Sequence, residues 1–495
     1  MFSRPSLKPL AAAIALICAA GNTAAAAPSE KDLVRMVQQL NQRMEKLEQR
    51  NAELERELQN SRAQPPAASA TEQRIQKLEE QQARVAQSLE ADTLSENEPE
   101  LTARLKAVEM QTSSMQGAAR KVEAFDGISA GLSLTTVAQK PFGVADSASQ
   151  LNYRGDAFVS LPLAPVGNIE HRVFAQFRLG QGAGLNGLNL FAKPNATAFQ
   201  LEGGLRPDDS VAVLAQAWYQ ADIPLPFGGY KPNSKQMLEV NFGKMDPFIF
   251  FDQNAAAGDE TRQFLNAAFV HNPLLDAGGD IGVDANGFTP GLRLSYYNAS
   301  RKPEAWRLSL GIFGAGEKGA NYQRTLAKPL VMLQAETEQR LFGGLAGTYR
   351  MYAWRNAQAS NFDAGVSEPE RHSGWGISAD QRVGDGVTLF GRYGHQMQGH
   401  VAFDRALTMG AELNGAYWNR GGDSIGLAAG LLKTSRDYRN YANLAANERV
   451  GELYYRYSIN KQFELSPSFQ YIGNPGGDGS ADAIRILGLR AQITY

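Results

Sequence analysis

The chain has 495 residues, a formal net charge of −2 and a single cysteine, Cys18. This charge balance gives no electrostatic basis for nucleic-acid binding, and one cysteine excludes internal disulfides and thiolate metal clusters. Beyond residue 26 there is no run of about 18 apolar residues, which excludes a membrane-spanning helix.

The first 26 residues have the pattern of a secretory signal peptide. Arg4 and Lys8 precede an apolar run over residues 10–20, and the small residues Ala24 and Ala26 suit cleavage after Ala26. We therefore expect an exported chain whose mature part starts at residue 27.

Residues 27–121 carry heptad repeats that predict a coiled coil. Core positions alternate at spacings of four and three residues, at Leu33, Val37, Leu40, Met44, Leu47, Asn51, Leu54 and Leu58. Leucine fills every d position, and Asn51 at an a position is expected to fix the helix alignment. Pro65 and Pro66 interrupt the helix, and weaker heptads follow. We interpret the segment as a self-associating periplasmic stalk; the alternatives are a lone amphipathic helix and a partly disordered linker.

From residue 122 to the end, apolar residues alternate with polar ones, which is typical of strands. We place sixteen strands near residues 128–137, 151–161, 170–179, 211–223, 236–243, 291–297, 305–313, 330–338, 345–354, 373–382, 387–395, 408–418, 424–432, 450–459, 463–471 and 484–495. An even number of strands in an exported chain favours a closed barrel, because closure pairs every backbone group within lipid. The predicted fold class is an all-β transmembrane barrel of about sixteen antiparallel strands, residues 122–495, preceded by a periplasmic α-helical coiled coil.

The last strand indicates which side chains face lipid and which face the lumen. Apolar residues occupy 487, 489, 491, 493 and 495, and Arg490 and Gln492 lie between them. The same alternation sends many polar groups inward: Arg154, Arg172, Arg178, Arg293, Arg307, Arg350, Arg392, Arg456, Glu336, Glu412, Glu452, Glu464 and Gln470. We expect water around so many groups, and a barrel of about sixteen strands is wide enough for an aqueous channel.

The connection over residues 244–287 is too long for a turn and mixes aromatic, carboxylate and amide side chains. Connections of this length in compact proteins are usually functional. We predict that this loop folds into the barrel and narrows the pore. Short turns and both barrel termini are expected on the periplasmic side, and the long loops outside.

Three segments carry a family resemblance. They are Gly-Lys-Met-Asp-Pro-Phe from Gly243 with Phe-Asp-Gln-Asn from Phe251 and Gln-Phe-Leu-Asn from Gln263; Gly-Asp-Ser-Ile-Gly-Leu-Ala from Gly422; and residues 448–476. The last contains Glu-Leu-Tyr-Tyr-Arg-Tyr and Ser-Pro-Ser-Phe-Gln-Tyr-Ile-Gly-Asn-Pro-Gly. In these segments the chain resembles the carbohydrate-selective outer-membrane porins of the OprB type. The resemblance implies a sugar porin in the bacterial outer membrane, to which the N-terminal coiled coil is an addition.

The predicted function is diffusion of carbohydrates or similar small polar solutes through a water-filled pore narrowed by residues 244–287. Ionisable and amide side chains exchange hydrogen bonds with sugar hydroxyls, and conduction needs several weak contacts. The candidate pore-lining or substrate-lining residues are Arg293, Arg350, Arg392, Glu412, Asp252, Asn254, Asp259, Glu260 and Arg262. The alternative for each is generic pore lining or an ion pair that pins the loop to the wall.

No catalytic residue, metal site or cofactor is predicted. The five histidines, His171, His271, His372, His395 and His400, lack metal-ligand spacing, and none aligns with an activated serine. The expected partners are small polar solutes, outer-membrane lipid and further copies of the chain. The competing hypothesis is a structural outer-membrane tether. Its coiled coil would link the barrel either to the cell wall, through contact with peptidoglycan, or to a partner.

The stalk generates the first testable prediction. Leucine at d and Asn51 at a favour two helices, whereas porin barrels of this width commonly trimerise. We expect a trimer, since subunits packed in the membrane hold their stalks at high effective concentration. Replacing Leu40, Leu47 and Leu54 with Ser should loosen the assembly and leave each barrel folded. Native mass in detergent, with the stalk-less protein as reference, checks this; a monomer for both intact and stalk-less protein contradicts it.

Overall fold

A computed structural model of the chain describes residues 128–144, 149–185, 187–199, 211–227, 229, 234–275, 288–301, 304–314, 328–363 and 365–495. The predicted signal peptide and coiled coil lie outside the described residues.

Sixteen antiparallel strands in the described part form one closed barrel. Each strand pairs with its sequence neighbours, and β1 pairs with β16. The strands are β1 (Ser129–Phe142), β2 (Gln150–Val166), β3 (Ile169–Gln181), β4 (Val211–Leu225), β5 (Gln236–Met245), β6 (Thr289–Asn298), β7 (Trp306–Phe313), β8 (Leu330–Leu341), β9 (Leu345–Ala359), β10 (Glu370–Gly384), β11 (Val387–Gln398), β12 (Phe403–Asn414), β13 (Ser424–Thr434), β14 (Glu448–Ser458), β15 (Phe463–Gly473) and β16 (Ile484–Thr494). The predicted barrel is confirmed.

One predicted strand, residues 408–418, has wrong bounds. β12 starts earlier and ends at Asn414, whose side chain accepts a hydrogen bond from the Ala416 amide and caps a short 3-10 turn over Gly415–Trp418. Asn419 then adopts a left-handed conformation that reverses the chain. The end of the strand is set by the Asn414 cap and the left-handed Asn419, which the apolar–polar alternation does not indicate.

Side chains alternate between the two faces as the sequence predicts. In β16, Leu487 is 52% exposed on the outer surface, whereas Arg490 inside is 1% exposed. A cationic side chain on the lipid face costs about 2–4 kcal/mol at the bilayer midplane, which explains why the arginines of alternating positions point inward.

The two ends of the barrel differ in the length of their connections. One end, which we name the turn end, has the connections 167–168, 226–235, 299–305, 342–344, 385–386, 415–423 and 459–462. The opposite end, which we name the loop end, has the connections 143–149, 182–210, 246–288, 314–329, 360–369, 399–402, 435–447 and 474–483. β1 starts and β16 finishes at the turn end, so both ends of the barrel domain lie together as predicted.

The described parts of two long connections fold back into the barrel. We name residues 246–275 and 288 the constriction loop, and residues 182–185 and 187–199 the companion loop. Phe251, Phe264 and Phe269 of the constriction loop are fully buried among side chains from the barrel wall. The hydrophobic core therefore lies within the barrel, between these loops and one part of its wall.

Helices contribute little to the described part of the chain. A four-residue helix, α1 (Ala267–Val270), lies in the constriction loop, and α2 (Arg436–Ala442) lies at the loop end. Within the described residues, no helix has the length and apolar character needed to cross a membrane.

Closure of the barrel depends on the last residues of the chain. Thr494 lies opposite Ser133, and Leu132 and Tyr495 exchange two backbone hydrogen bonds of 2.9 and 2.8 Å. Truncation after Gly488 removes the pairing from residue 489 onward and leaves half of β1 unpaired within lipid, which costs several kcal/mol per polar group. We expect this variant to fail to insert.

The measurement is heat-modifiable migration of the purified protein from outer membranes. Tyr495→Ala is the matched control, because it keeps the backbone hydrogen bonds to Leu132 and should insert normally. Normal insertion of the truncated chain contradicts the prediction.

Candidate functional site

Near its end, just before the constriction loop, β5 contains a position that only glycine fits. Gly243 has φ +134°, and a Cβ atom there would lie 2.3 Å from the carbonyl oxygen of Ala217 on β4. Asp246 then caps a short 3-10 turn over Pro247–Ile249 by accepting a hydrogen bond of 2.8 Å from the Phe248 amide. The Asp-Pro sequence therefore turns the chain from the wall into the lumen.

Asp252 and Arg392 form the central anchor of the constriction loop. The Arg392 guanidinium on β11 pairs with the Asp252 carboxylate at 3.1 Å. It also donates to the carbonyl oxygens of Asp252 at 3.0 Å and of Phe269 at 2.6 Å. One arginine thereby holds the inbound and the returning parts of the loop. Tyr352 adds a hydrogen bond of 2.8 Å to the same carboxylate.

Asn254 continues this attachment on β10. Its amide nitrogen donates to the Ala379 carbonyl oxygen at 3.0 Å, and its side-chain oxygen accepts from the Ala256 amide at 3.1 Å. Ser378 in turn donates to the Gln253 carbonyl oxygen at 2.9 Å. The Phe-Asp-Gln-Asn segment is thus a set of wall contacts.

Asp259 shapes the tip of the loop. Its carboxylate accepts hydrogen bonds from the Thr261 amide at 2.9 Å and the Thr261 hydroxyl at 2.6 Å. Burial and the neighbouring Glu260 raise the pKa of Asp259 to about 6. The turn carries Glu260 and precedes Arg262, and both of these charged side chains reach partners on the wall.

Glu260 and Arg262 connect the loop tip to two strands, β2 and β15, that are separated in the barrel by β1 and β16. Arg154 on β2 donates to Glu260 at 2.9 Å, and Arg262 donates to Glu464 on β15 at 2.8 Å. The side chains of Glu260 and Arg262 keep exposed fractions of 23% and 24%. The loop tip is therefore fixed on both sides while two opposite charges still reach the lumen.

Arg154, the partner of Glu260, belongs to a larger polar network on β2 and β3. Asp156 accepts from Arg154 at 3.0 Å, from Arg178 at 2.7 Å and from Gln176 at 2.9 Å. This charge-assisted network holds the arginines at fixed positions against the wall.

Two carboxylates of β14 hold the inward loops by their backbones. Glu452 accepts from the amides of Leu265 at 2.8 Å and Asn266 at 2.9 Å. Four residues earlier, Glu448 accepts from the amides of Phe191 and Ala192 in the companion loop, at 2.9 and 2.7 Å. Backbone amides supply the hydrogen bonds that a buried carboxylate requires.

The two inward loops also bind each other directly. The Ala196 amide donates to the Leu265 carbonyl oxygen at 2.7 Å, and the Ala267 amide donates to the Lys193 carbonyl oxygen at 2.8 Å. The constriction is therefore built by two loops that pack as one unit.

Sequence reasoning missed the companion loop as a part of the site. Its segment 189–197 reads Asn-Leu-Phe-Ala-Lys-Pro-Asn-Ala-Thr and shares the mixture of apolar and amide residues of the constriction loop. That composition was the available signal for an inward fold.

The candidate residues Arg293 and Arg350 lie on the wall and form ion pairs there. Arg293 contacts Glu239 at 3.0 Å and lies 4.6 Å from the centre of the Phe250 ring. Arg350 bridges Glu336 and Asp380 at 2.6 and 2.8 Å. Glu412 is tied to the loop, accepting from Gln263 at 2.8 Å and from Tyr454 at 3.1 Å.

The nine candidates thus divide by exposure. Arg293, Arg350, Arg392, Asp252, Asn254 and Asp259 are buried, whereas Glu260, Arg262 and Glu412 are partly exposed. Among the buried six, Asp252, Asn254 and Arg392 attach the loop to the wall, as the alternative expects. Asp259 stabilises the turn at the loop tip, and Arg293 and Arg350 form ion pairs with wall carboxylates. The expectation of water around every inward charge is wrong for them, because the two loops fill that space.

An aromatic row on β3 and β4 contacts the constriction loop. Phe174 on β3 stacks on Trp218 of β4 with ring centroids 4.8 Å apart, and Phe250 of the loop meets the edge of Trp218 at 6.0 Å. The Arg172 guanidinium lies 6.0 Å from the Trp218 ring. Sequence analysis did not single out these rings, although alternation on β3 and β4 sends them inward.

The histidine of the constriction loop shows no sign of a metal role. His271 stacks on Phe248 with ring centroids 3.9 Å apart. Burial and the nearby Arg392 lower the pKa of His271 to about 3, so the ring is neutral at neutral pH. No three His, Cys, Asp or Glu side chains within the described ranges are grouped in a way that suits a metal ion.

Comparisons with known proteins agree with this geometry. The family model for the carbohydrate-selective porin, OprB family, matches residues 186–495. The high-pH structure of Pseudomonas putida OprB superimposes with a TM-score of 0.57 at 17% identity, covering 74% of this chain and 94% of that one. Its low-pH structure gives 0.42 at 15% identity over 74% and 92% of the two chains. A variant of the Rh. blastica porin gives 0.38 at 10% identity over 74% and 100%.

The search of the curated proteins gave no match. The family match covers more than half of the chain, and the fold of Pseudomonas putida OprB is the same closed barrel. This family and this fold are those of channels rather than of enzymes. The chain belongs to the carbohydrate-selective porin, OprB family, and is an outer-membrane porin.

Proposed function

We propose that this porin passes carbohydrates and similar small polar solutes through the part of the lumen that the two inward loops leave open. The observation that carries the proposal is the loop tip, where Glu260 and Arg262 are anchored to β2 and β15 and still keep partly exposed side chains. Fixed charges of both signs offer donors and acceptors to sugar hydroxyls without favouring one ionic charge.

The aromatic row supports the same solute class. Partly exposed Phe174 of β3 and Phe250 of the constriction loop both contact Trp218, and the partly exposed Arg172 lies beside the same ring. An aromatic ring accepts the apolar C–H face of a pyranose, and a guanidinium donates to its hydroxyls. Several such weak contacts along a pore allow a solute to enter and also to leave.

The aperture is proposed to be rigid. Each buried phenylalanine of the constriction loop contributes about 1.5–3 kcal/mol, and hydrogen bonds to charged groups contribute about 1.5–3 kcal/mol each. Phe251, Phe264 and Phe269 together with the anchors of Asp252 and Glu452 therefore oppose release of the loop. The pore selects solutes by fixed geometry and not by loop opening.

For residues 27–121 we propose the periplasmic stalk that the heptads indicate. Three stalks joined above a trimeric barrel would hold the subunits together, and a solvent-facing coiled coil of this kind also offers a surface for peptidoglycan contact. Support for this comes from the heptad pattern alone.

Removing the constriction loop should widen the pore. Deletion of residues 252–280 exposes the wall arginines to water and should raise single-channel conductance and weaken discrimination among sugars. Planar-bilayer recording of open, sugar-blockable current is the measurement. Unchanged conductance of a folded barrel would refute the role of the loop, and a closed wild-type barrel would favour the tether hypothesis.

Weakening the hydrogen bonds between the constriction loop and the Glu452 carboxylate should make the loop more mobile. In Glu452→Gln the side chain keeps a single acceptor oxygen for two amides, so one buried hydrogen bond of about 1.5–3 kcal/mol is lost. We expect larger open-channel noise and raised conductance in bilayer recordings. Glu368→Gln, at an exposed position of the loop end, is the matched control and should match the wild type. Identical traces for all three proteins would contradict this role of Glu452.

A further inference from the structure

Three connections at the loop end bring aromatic side chains together outside the constriction. Phe362 lies between β9 and β10, His400 between β11 and β12, and Tyr438 and Tyr441 on α2. The Phe362 ring lies 5.3 Å from the rings of both tyrosines and 6.3 Å from His400. We name these four residues with Asp363 the mouth cluster.

The mouth cluster is open to solvent. Tyr441 is 61% exposed, the His400 side chain is 55% exposed, and Phe362 and Tyr438 are half-buried. The position at the loop end makes these rings accessible from outside the membrane. Grouped aromatic rings at such a place mark a site of interaction, because scattered exposed apolar residues need no explanation whereas a cluster does.

Hydrogen bonds hold the polar groups of the cluster in place. The Tyr441 hydroxyl donates to an Asp363 carboxylate oxygen at 3.3 Å, and the Phe362 amide donates to the His400 carbonyl oxygen at 3.0 Å. Glu370 contacts Nδ1 of the His400 ring at 2.8 Å and accepts from the His400 amide at 2.6 Å. The imidazole is thus oriented with its Nε2 edge away from Glu370.

The helix that carries the two tyrosines has well-defined ends. Ser435 caps α2 by accepting a hydrogen bond of 3.1 Å from the Tyr438 amide. Asn443, in the left-handed conformation, ends the helix. A fixed platform reduces the entropy lost when a ligand binds.

We propose that the mouth cluster is a carbohydrate-binding site that captures sugars at the loop-end entrance of the pore. The exposed Tyr441 ring takes the apolar face of a pyranose, and Asp363 and His400 exchange hydrogen bonds with its hydroxyl groups. This combination of aromatic surface and few oriented polar groups is that of a small-molecule site. The inference rests on the proposed function and adds a second binding position to it.

The cluster packs against the companion loop. Tyr438 meets Phe191 of the companion loop at 5.9 Å between ring centroids, and Phe191 meets Phe403 of β12 at 5.2 Å. The same Phe191 amide is held by Glu448. The capture site is therefore attached to the loops that form the constriction, and a sugar released from it enters next to them.

The test uses the full-length protein in liposomes, with initial rates of D-glucose and maltotriose entry measured over a range of sugar concentrations. Tyr441→Ala removes the platform and should raise the half-saturating concentration about three- to tenfold, with an unchanged rate at saturation. Tyr441→Phe keeps the ring and should stay near the wild type.

Tyr417→Ala is the matched control, because Tyr417 is 58% exposed at the turn end, far from the cluster along the barrel. Heat-modifiable migration checks that every variant is folded. If Tyr441→Ala and Tyr417→Ala have the half-saturating concentration of the wild type, the mouth site is overturned and the porin function stands. If wild-type liposomes admit neither sugar, both proposals fail.

Discussion

Backbone hydrogen bonding within lipid is the constraint on which the whole structure depends. A polar backbone group left unpaired in hydrocarbon costs several kcal/mol, so the chain must close its sheet by pairing β1 with β16. Closure fixes the two faces of every strand. Apolar side chains then face lipid, and the charged side chains at the alternate positions of each strand face the enclosed lumen.

That enclosed space creates the second requirement, because an array of inward arginines needs partners. The structure supplies them with carboxylates from the wall and from the constriction loop. Arg392 forms an ion pair with Asp252, and Arg154 forms one with Glu260. Arg350 pairs with carboxylates of the wall. Removing one member of such a buried pair leaves the charge of the other uncompensated. Replacing a single partner therefore costs more free energy of folding than the net contribution of the pair to stability.

Carboxylates that bind backbone amides have a different role from those that bind arginines, because they hold the loops by their main chain. Glu448 and Glu452 lie four residues apart on the same face of β14 and hold the companion loop and the constriction loop. A backbone contact does not depend on the side chain presented by the loop. The loop tip can therefore carry the charges that face the solute, while its position is set from behind by β14.

Much of the barrel was determined by the sequence. All sixteen strands, their facing and the shared end of both barrel termini follow from the period-two pattern, since alternation is a local property of the backbone. The inward loop was also predicted, because its length and composition do not fit a turn. The coiled-coil stalk, argued from heptads, lies outside the described residues.

Only the tertiary structure decided which candidate residues are buried in contacts between loop and wall and which keep side chains exposed to the lumen. Arg392 and Asp252 are 140 residues apart, and Glu448 and Phe191 are 257 apart. Such partners are selected by barrel register and loop path, which a single sequence does not encode in any short-range pattern. The companion loop and the mouth cluster were missed for the same reason: each is made of segments that meet only after the barrel has closed.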